Sequence, residues 1–167
     1  MVPHFTFAGY SGSGKTTLAI QVIKILSNKG YKIASFKHDG HKFQMDKEGK
    51  DTYRLKEAGA KTVAISSMEK YAIISDSDHR LSFGELAKFV TDDIDIIIGE
   101  GFKEDVIPKI VVHRKDNLKP RACLDDRNVI AAVTDCPEDF PHIEHIFDIN
   151  DINGVTDFIE AKFLKKD

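Results

Sequence analysis

The stretch FAGYSGSGKTTLAI, Phe7 to Ile20, decides how the rest of the chain is read. Gly9, Gly14, Lys15 and Thr16 satisfy the pattern G-x-x-x-x-G-K-[ST]. The apolar run His4 to Ala8 precedes it, and Leu18, Ala19, Val22, Ile23 and Leu26 follow at helical spacing. Strand, glycine-rich loop and helix are the context in which this pattern carries chemistry. Gly12 and Gly14 let the backbone turn so tightly that successive amides from Tyr10, Ser11 and Ser13 onward face phosphate oxygens. The helix entered at Lys15 to Thr17 adds its positive end. Lys15 is expected to neutralise β and γ phosphates, and the Thr16 hydroxyl to help hold Mg²⁺.

A hydrated Mg²⁺ needs a second acid to hold its waters. The run IDIIIGEG, Ile94 to Gly101, has the continuous apolar character of a central parallel strand and ends on Glu100. Glu100 is therefore the metal-linked candidate, with a salt bridge to Lys103 as its alternative; Asp95, at the other end of the strand, is read as a cap. Thr134 and Asp135 lie in VTDCP, just beyond another expected strand. A carboxylate there can accept from both N1–H and the N2 amino group of guanine, which adenine cannot offer. Equally, Asp135 can satisfy its own turn.

Further along, strands are expected at Tyr31 to Phe36, Lys109 to His113, Val129 to Val133 and His145 to Phe147, and helices from Asp51 to Ala58, from Ser82 to about Val90 and from about Asp151 to Phe163. Asn28-Lys29-Gly30 closes the first helix, Lys61 to Ser66 pairs with Tyr71 to Ser75 as a hairpin, and Ser82 and Glu85 have capping-box spacing. Alternating strands and helices imply an α/β fold, a mostly parallel sheet flanked by helices with a β-hairpin insertion, its ligand beyond the strands' carboxyl ends.

The chain is 167 residues long and 41% hydrophobic, and is read as a single domain spanning 1–167. Its 24 basic and 27 acidic residues give a net charge of −3, so nothing points to nucleic acid or an anionic membrane. No apolar run nears the ~20 residues of a membrane span. The start runs straight into a strand without a signal-peptide pattern, so the expected compartment is the reducing cytoplasm, with Cys123 and Cys136 as free thiols.

Lys37, His38, His41, Lys42, Lys47 and Lys50 crowd a polar segment, with Arg54 just beyond. It is either a solvated surface or a seat for a phosphorylated partner molecule. His38 and His41 alone make a weak zinc signal. Asp46 and Asp51 either assist Mg²⁺ or cap the helix that follows.

Taken together, GYSGSGKTTL (Gly9 to Leu18), KHDGHKFQMDKEGKDTYRLKEAGA (Lys37 to Ala60), DIIIGEGFK (Asp95 to Lys103) and PKIVVHR (Pro108 to Arg114) resemble the MobB family of molybdopterin-guanine dinucleotide biosynthesis adaptor proteins. The specificity lies in the second and third blocks. The resemblance implies a P-loop NTPase fold, a homodimer, bound GTP and Mg²⁺, and at most weak GTP hydrolysis. It also implies a partner guanylyltransferase that joins GMP to molybdopterin. By position it makes Gly12 to Thr17 the triphosphate site, Glu100 the acid near the metal, and Lys37, His38, His41, Lys50 and Arg54 a surface near nucleotide or pterin phosphate.

A small-molecule kinase of the uridine-kinase type is the alternative, because SGSGKTTLA also suits it. Such enzymes close an arginine-rich lid, whereas the five arginines here are scattered, and only Arg114 to Arg127 could supply one. An ordinary switch GTPase is disfavoured, because the chain has no N-K-x-D base motif. With no glutamine or arginine finger recognisable beside the loop, slow turnover is expected.

Overall fold

In a computed structural model that describes residues 2–40, 43–91, 93–123 and 125–165, the chain divides into two compact units, Met1–His38 with Ser82–Asp167, and Asp39–Leu81. The elements of the first are β1 (His4–Ala8), α1 (Lys15–Asn28), β2 (Ile33–Lys37), α3 (Phe83–Ala87), β5 (Ile96–Glu100), β6 (Lys109–His113), β7 (Val129–Thr134), β8 (Ile146–Asp148) and α4 (Ile152–Ile159). The second contains α2 (Asp51–Glu57), β3 (Thr62–Ser66) and β4 (Tyr71–Ser75).

The six strands of the first unit form one parallel sheet in the order β2-β5-β1-β6-β7-β8. Apolar residues run without a break through its centre because both faces are covered. Phe5, Phe7, Ile96, Ile98, Ile110, Val112, Ala131 and Val133 meet Leu18, Val22 and Leu26 of α1 and Val155 and Ile159 of α4. On the opposite face Ile97 packs with Phe83 of α3 and Phe102, while Val111 and Ala132 pack with Phe140. Each fully buried Leu, Val or Ile in these layers stabilises the fold by roughly 1.5–3 kcal/mol.

Helix α1 ends where the sequence says it should. Gly30 takes φ +94°, its N–H reaches the Ser27 carbonyl at 3.0 Å, and the Tyr31 N–H reaches that of Leu26 at 3.2 Å. Helix α3 opens on the reciprocal Ser82–Glu85 capping box. Asp95 does cap: its Oδ2 accepts from the Lys32 N–H at 2.8 Å.

Three expectations are corrected. Helix α2 takes Lys50 as its N-cap, with Asp51 inside the first turn and 3.8 Å from Arg54, so Asp51 caps nothing. Strand β2 starts two residues later and ends one residue later than its periodicity predicts, and so includes Lys37, because pairing with β5 sets its register, Lys37 beside Glu100. Helix α4 does not stay α-helical to Phe163; Glu160–Leu164 forms a π-helical turn.

In the second unit β3 and β4 pair antiparallel, from Thr62↔Ser75 to Ser66↔Tyr71, as the hairpin reading expects. Lys56 joins α2 to the hairpin through Asp76 and the Lys61 carbonyl. Val63 is buried, whereas Ile65, Met68, Tyr71 and Ile73 stand exposed.

Candidate functional site

Strand order changes direction about β1, which lies between β5 and β6, and the carboxyl edge beside such a switch is where open α/β sheets bind ligands. Ala8, Lys37, Glu100 and His113 end their strands there.

The loop after β1 owes its shape to four residues. Gly12 and Gly14 take φ +87° and +90°, which side-chain-bearing residues rarely adopt. Gly9 lies so close to its neighbours that a Cβ there would stand 2.5 Å from the Val112 carbonyl oxygen and 2.6 Å from Ser13 Oγ. Ser13 donates its N–H to Tyr10 O at 3.2 Å, and its buried Oγ has no hydrogen-bond partner among the described residues. The result is a rigid nest opening onto the first turn of α1.

Glu100 organises the floor. It is 8% exposed, and its Oε1 accepts from Thr16 Oγ1 at 2.8 Å and from Lys37 Nζ at 2.9 Å. Of its two expected roles, the geometry brings Glu100 to the Thr16 hydroxyl and pairs it with Lys37 rather than Lys103. Lys103 lies over the Tyr10 ring, its Nζ 4.1 Å from the centroid. Lys15 Nζ donates to Tyr10 O at 3.3 Å. Burial pushes its ammonium below the ordinary lysine range; Glu100 opposes this, while Lys37, Lys103 and Lys119 add to it. Lys37, Lys103 and Lys119 all act on Lys15, a positive field suited to a polyanion.

Two adjoining cavities share Gly14 and Thr17. One, of about 410 Å³, is lined by Ser11, Gly12, Lys15, Thr16, Lys37 and Glu100. The other, of about 240 Å³, is lined by Leu18, Gln21, Arg114, Ile149, Asn150 and Ile152. Thr16 Oγ1 and the Glu100 carboxylate, both in the lining of the first cavity, are the kind of hard oxygen donors that Mg²⁺ takes.

The remaining expected residues are spread more widely. Thr134 is buried, and its Oγ1 accepts from the Cys136 N–H at 3.1 Å. Asp135 is exposed, and its Oδ1 accepts from the Lys115 N–H at 2.7 Å. His38 gives its N–H to Glu100 O at 2.9 Å and sets its ring 5.5 Å from that of Phe102. Lys50 and Arg54 belong to the second unit, and His41 lies outside the described residues.

Sequence reasoning named Arg114 to Arg127 only as a possible lid and did not foresee that the segment after β6 touches the phosphate loop. A Cβ on Gly14 would meet Arg114 Nε at 3.1 Å, and Asn117 Nδ2 donates to Ser11 O at 3.3 Å. Arg114 immediately follows a recognisable strand, and that position was the available signal.

The comparisons agree with this geometry. The family model described as Molybdopterin guanine dinucleotide synthesis protein B matches residues 4–135. A Haemophilus influenzae protein named molybdopterin-guanine dinucleotide biosynthesis adapter protein is 39% identical over 160 residues, 95% of this chain and 88% of its own. An Escherichia coli protein of the same name is 36% identical over 163 residues, 95% of this chain and 92% of its own. Among solved structures, Bacillus subtilis MobB superposes with a TM-score of 0.76 at 26% identity, covering 98% of this chain and 99% of that one.

Proposed function

Because this chain belongs to the MobB family, we propose that it holds GTP with Mg²⁺ as an accessory protein to a partner guanylyltransferase, which joins GMP to molybdopterin. The single observation that carries this reading is the Thr16–Glu100 hydrogen bond at 2.8 Å, which ties the phosphate loop to the end of a buried strand. Thr16 and Glu100 hold the metal, directly or through its waters. Bound Mg²⁺ would offset phosphate charge and fix the triphosphate's orientation. Lys15 and the amides from Ser11 to Thr17 hold the phosphates, and Lys37 and Lys103 add charge around them.

A metal held at Glu100 would lie toward the β,γ end of the triphosphate, and the nucleoside would then extend across Gly14 and Thr17 toward the smaller cavity. Gln21 and Asn150 offer amides to the base edge there. Asp135, our candidate for guanine selection, is not among the residues lining that cavity and accepts from the Lys115 N–H through Oδ1, so it would meet the base only from the cavity's rim.

The relatives' shared name favours this reading over a metabolite kinase. On the same reading the protein works in the cytoplasm, which suits free Cys123 and Cys136. Among the described residues no helix is long and apolar enough to cross a membrane. The exposed Ile65, Tyr71 and Ile73 of the hairpin support a homodimer; a sedimentation mass of one chain at micromolar concentration would count against it.

The test is a titration with GTP and ATP in Mg²⁺, then addition of the protein to guanylyltransferase with molybdenum-loaded molybdopterin. GTP should bind the tighter, dinucleotide formation should rise, and Lys15→Ala should abolish triphosphate binding. A preference for ATP, an unchanged yield or wild-type affinity in the Lys15 variant overturns the reading.

A further inference from the structure

Beyond the phosphate loop, the carboxyl edge of the sheet carries a second cluster of ligating side chains. His113 ends β6, Cys136 follows β7, and Asp139 ends the short 3₁₀ turn Pro137–Asp139. One ligand atom from each lies within 4.8 Å of the others. Their side chains occupy the face of the sheet away from α1: Val112 faces α1, so His113 points the other way, and its ring packs 6.0 Å from that of Phe140. His113 and Cys136 are 8% and 2% exposed, and Asp139 closes the cluster from the more open side.

We propose that His113, Cys136 and Asp139 form a binding site for a thiophilic divalent cation of the zinc class, distinct from the Mg²⁺ position at Thr16 and Glu100. The donor set decides the class. Imidazole, thiolate and carboxylate are the ligands of Zn²⁺, whereas Mg²⁺ takes oxygens alone. Ligand atoms about a tetrahedral zinc stand roughly 3.3–3.7 Å apart, from bond lengths of about 2.0–2.3 Å. Closing from at most 4.8 Å is a matter of about 1–1.5 Å, a displacement within the reach of rotations of the three side chains. Thr134 Oγ1 lies 3.2 Å from Cys136 Sγ and fixes the loop by accepting from the Cys136 N–H, and Arg121 stands beside Asp139, its Nη1 3.6 Å from Oδ1. Three protein ligands leave a fourth position for water.

The place of the site gives it a consequence. Arg114 and Asn117, which rest on the phosphate loop, follow His113 by one and four residues, and Asp135, which holds the Lys115 N–H, immediately precedes Cys136. A cation there fastens the two loops that flank the nucleotide end of the sheet.

The test uses the full chain, stripped with a chelator under reducing conditions and titrated with Co²⁺ without nucleotide. One equivalent should bind with an intense near-ultraviolet thiolate-to-cobalt band, which Zn²⁺ then bleaches. Oxygen ligands at Thr16 and Glu100 cannot produce that band. Cys136→Ser should abolish it, Cys123→Ser should leave it intact, and Asp139→Asn should weaken Co²⁺ binding at least about tenfold. If Cys136→Ser does not fold, Zn²⁺ should still raise the Tm of the wild type and fail to raise that of His113→Gln or Asp139→Asn. Absence of the band at one equivalent, its survival in Cys136→Ser, or its loss in Cys123→Ser overturns the site.

Discussion

Replacing Glu100 by glutamine tests the arrangement of the phosphate site most directly, because the change is nearly isosteric and removes one charge. Glu100 Oε1 accepts from both Thr16 Oγ1 and Lys37 Nζ. An amide oxygen keeps the first of these bonds and weakens the second. Lys37 is 57% exposed, so its ammonium remains hydrated and the lost pair costs the fold only about 0–1 kcal/mol. The metal suffers more, since Glu100 is the one acid among the residues lining its cavity. Loss of one charge-assisted contact to a hydrated Mg²⁺ costs roughly 1.5–3 kcal/mol, or about 10–100-fold in affinity. In chelator the sign reverses, because the carboxylate then only repels phosphate. E100Q should therefore bind GTP about 10–100-fold more weakly than wild type in saturating Mg²⁺, and as tightly or more tightly in EDTA. Calorimetric titration with and without Mg²⁺ reads both limbs. An unchanged Mg²⁺ dependence would refute the assignment of Glu100 to the metal, and a fall in both limbs would mean that the loop itself had been disturbed.

Two further outcomes follow from packing and charge. Gly9→Ala sets a methyl 2.5 Å from the backbone carbonyl of Val112, which β6 holds in place; overpacking of about 1–3 kcal/mol should lower Tm by several degrees and remove triphosphate binding together, and wild-type values for both would rule the clash out. Lys109, fully buried, pairs with Asp126 at 2.7 Å, so Lys109→Met should cost about 3 kcal/mol in urea denaturation by leaving the carboxylate without its partner. Burial alone would push the Asp126 carboxyl up, but hydrogen bonds from Lys109 and Asn128 hold it below its ordinary 3.8. A folded-state value below the unfolded one means stability that is complete above about pH 4 and is lost as pH falls through the folded value. K109M should flatten that acid limb, and an undiminished limb would place its origin elsewhere.

What could be read from residues alone is what carries its own local physics. The phosphate loop announces itself because glycine spacing, lysine and hydroxyl all lie within eight residues and each has a local reason. Glu100 was legible because an unbroken apolar run marks a central strand and its last polar residue marks the ligand edge. Lys37 was read as the start of a polar loop, since its partner lies 63 residues away and only the β2–β5 register brings the two together. Asn117 is 106 residues from the loop it touches, and nothing local encodes that contact. His113, Cys136 and Asp139 come from a strand end and a turn that no metal-site spacing links. Ser82 and Glu85 show the opposite case, a contact of three residues' reach that sequence foretold in full.

Arg114 bears on whether this site hydrolyses what it holds. Sequence offered no arginine beside the loop, and the fold supplies one, its guanidinium against Gly14. Arginine near a phosphate loop has two possible jobs, binding charge in the ground state or neutralising the charge that develops on the transferring γ-phosphoryl group. Position separates them. Arg114 lines the smaller cavity with Gln21 and Asn150, whereas Glu100, Thr16 and Lys37 line the other. On the proposed reading, a metal held at Glu100 would leave Arg114 toward the α-phosphate and nucleoside, at the wrong end for γ-phosphoryl transfer. Arg114→Ala should therefore weaken GTP binding by one charge-assisted hydrogen bond, roughly 1.5–3 kcal/mol or about 10–100-fold. At saturating GTP it should leave turnover within about twofold. An arginine that acted on the γ-phosphoryl group would instead take about 10³-fold or more from turnover. Single-turnover hydrolysis, compared with equilibrium binding of the same variant, distinguishes the two, and a collapse in rate at unchanged affinity would give Arg114 the catalytic job.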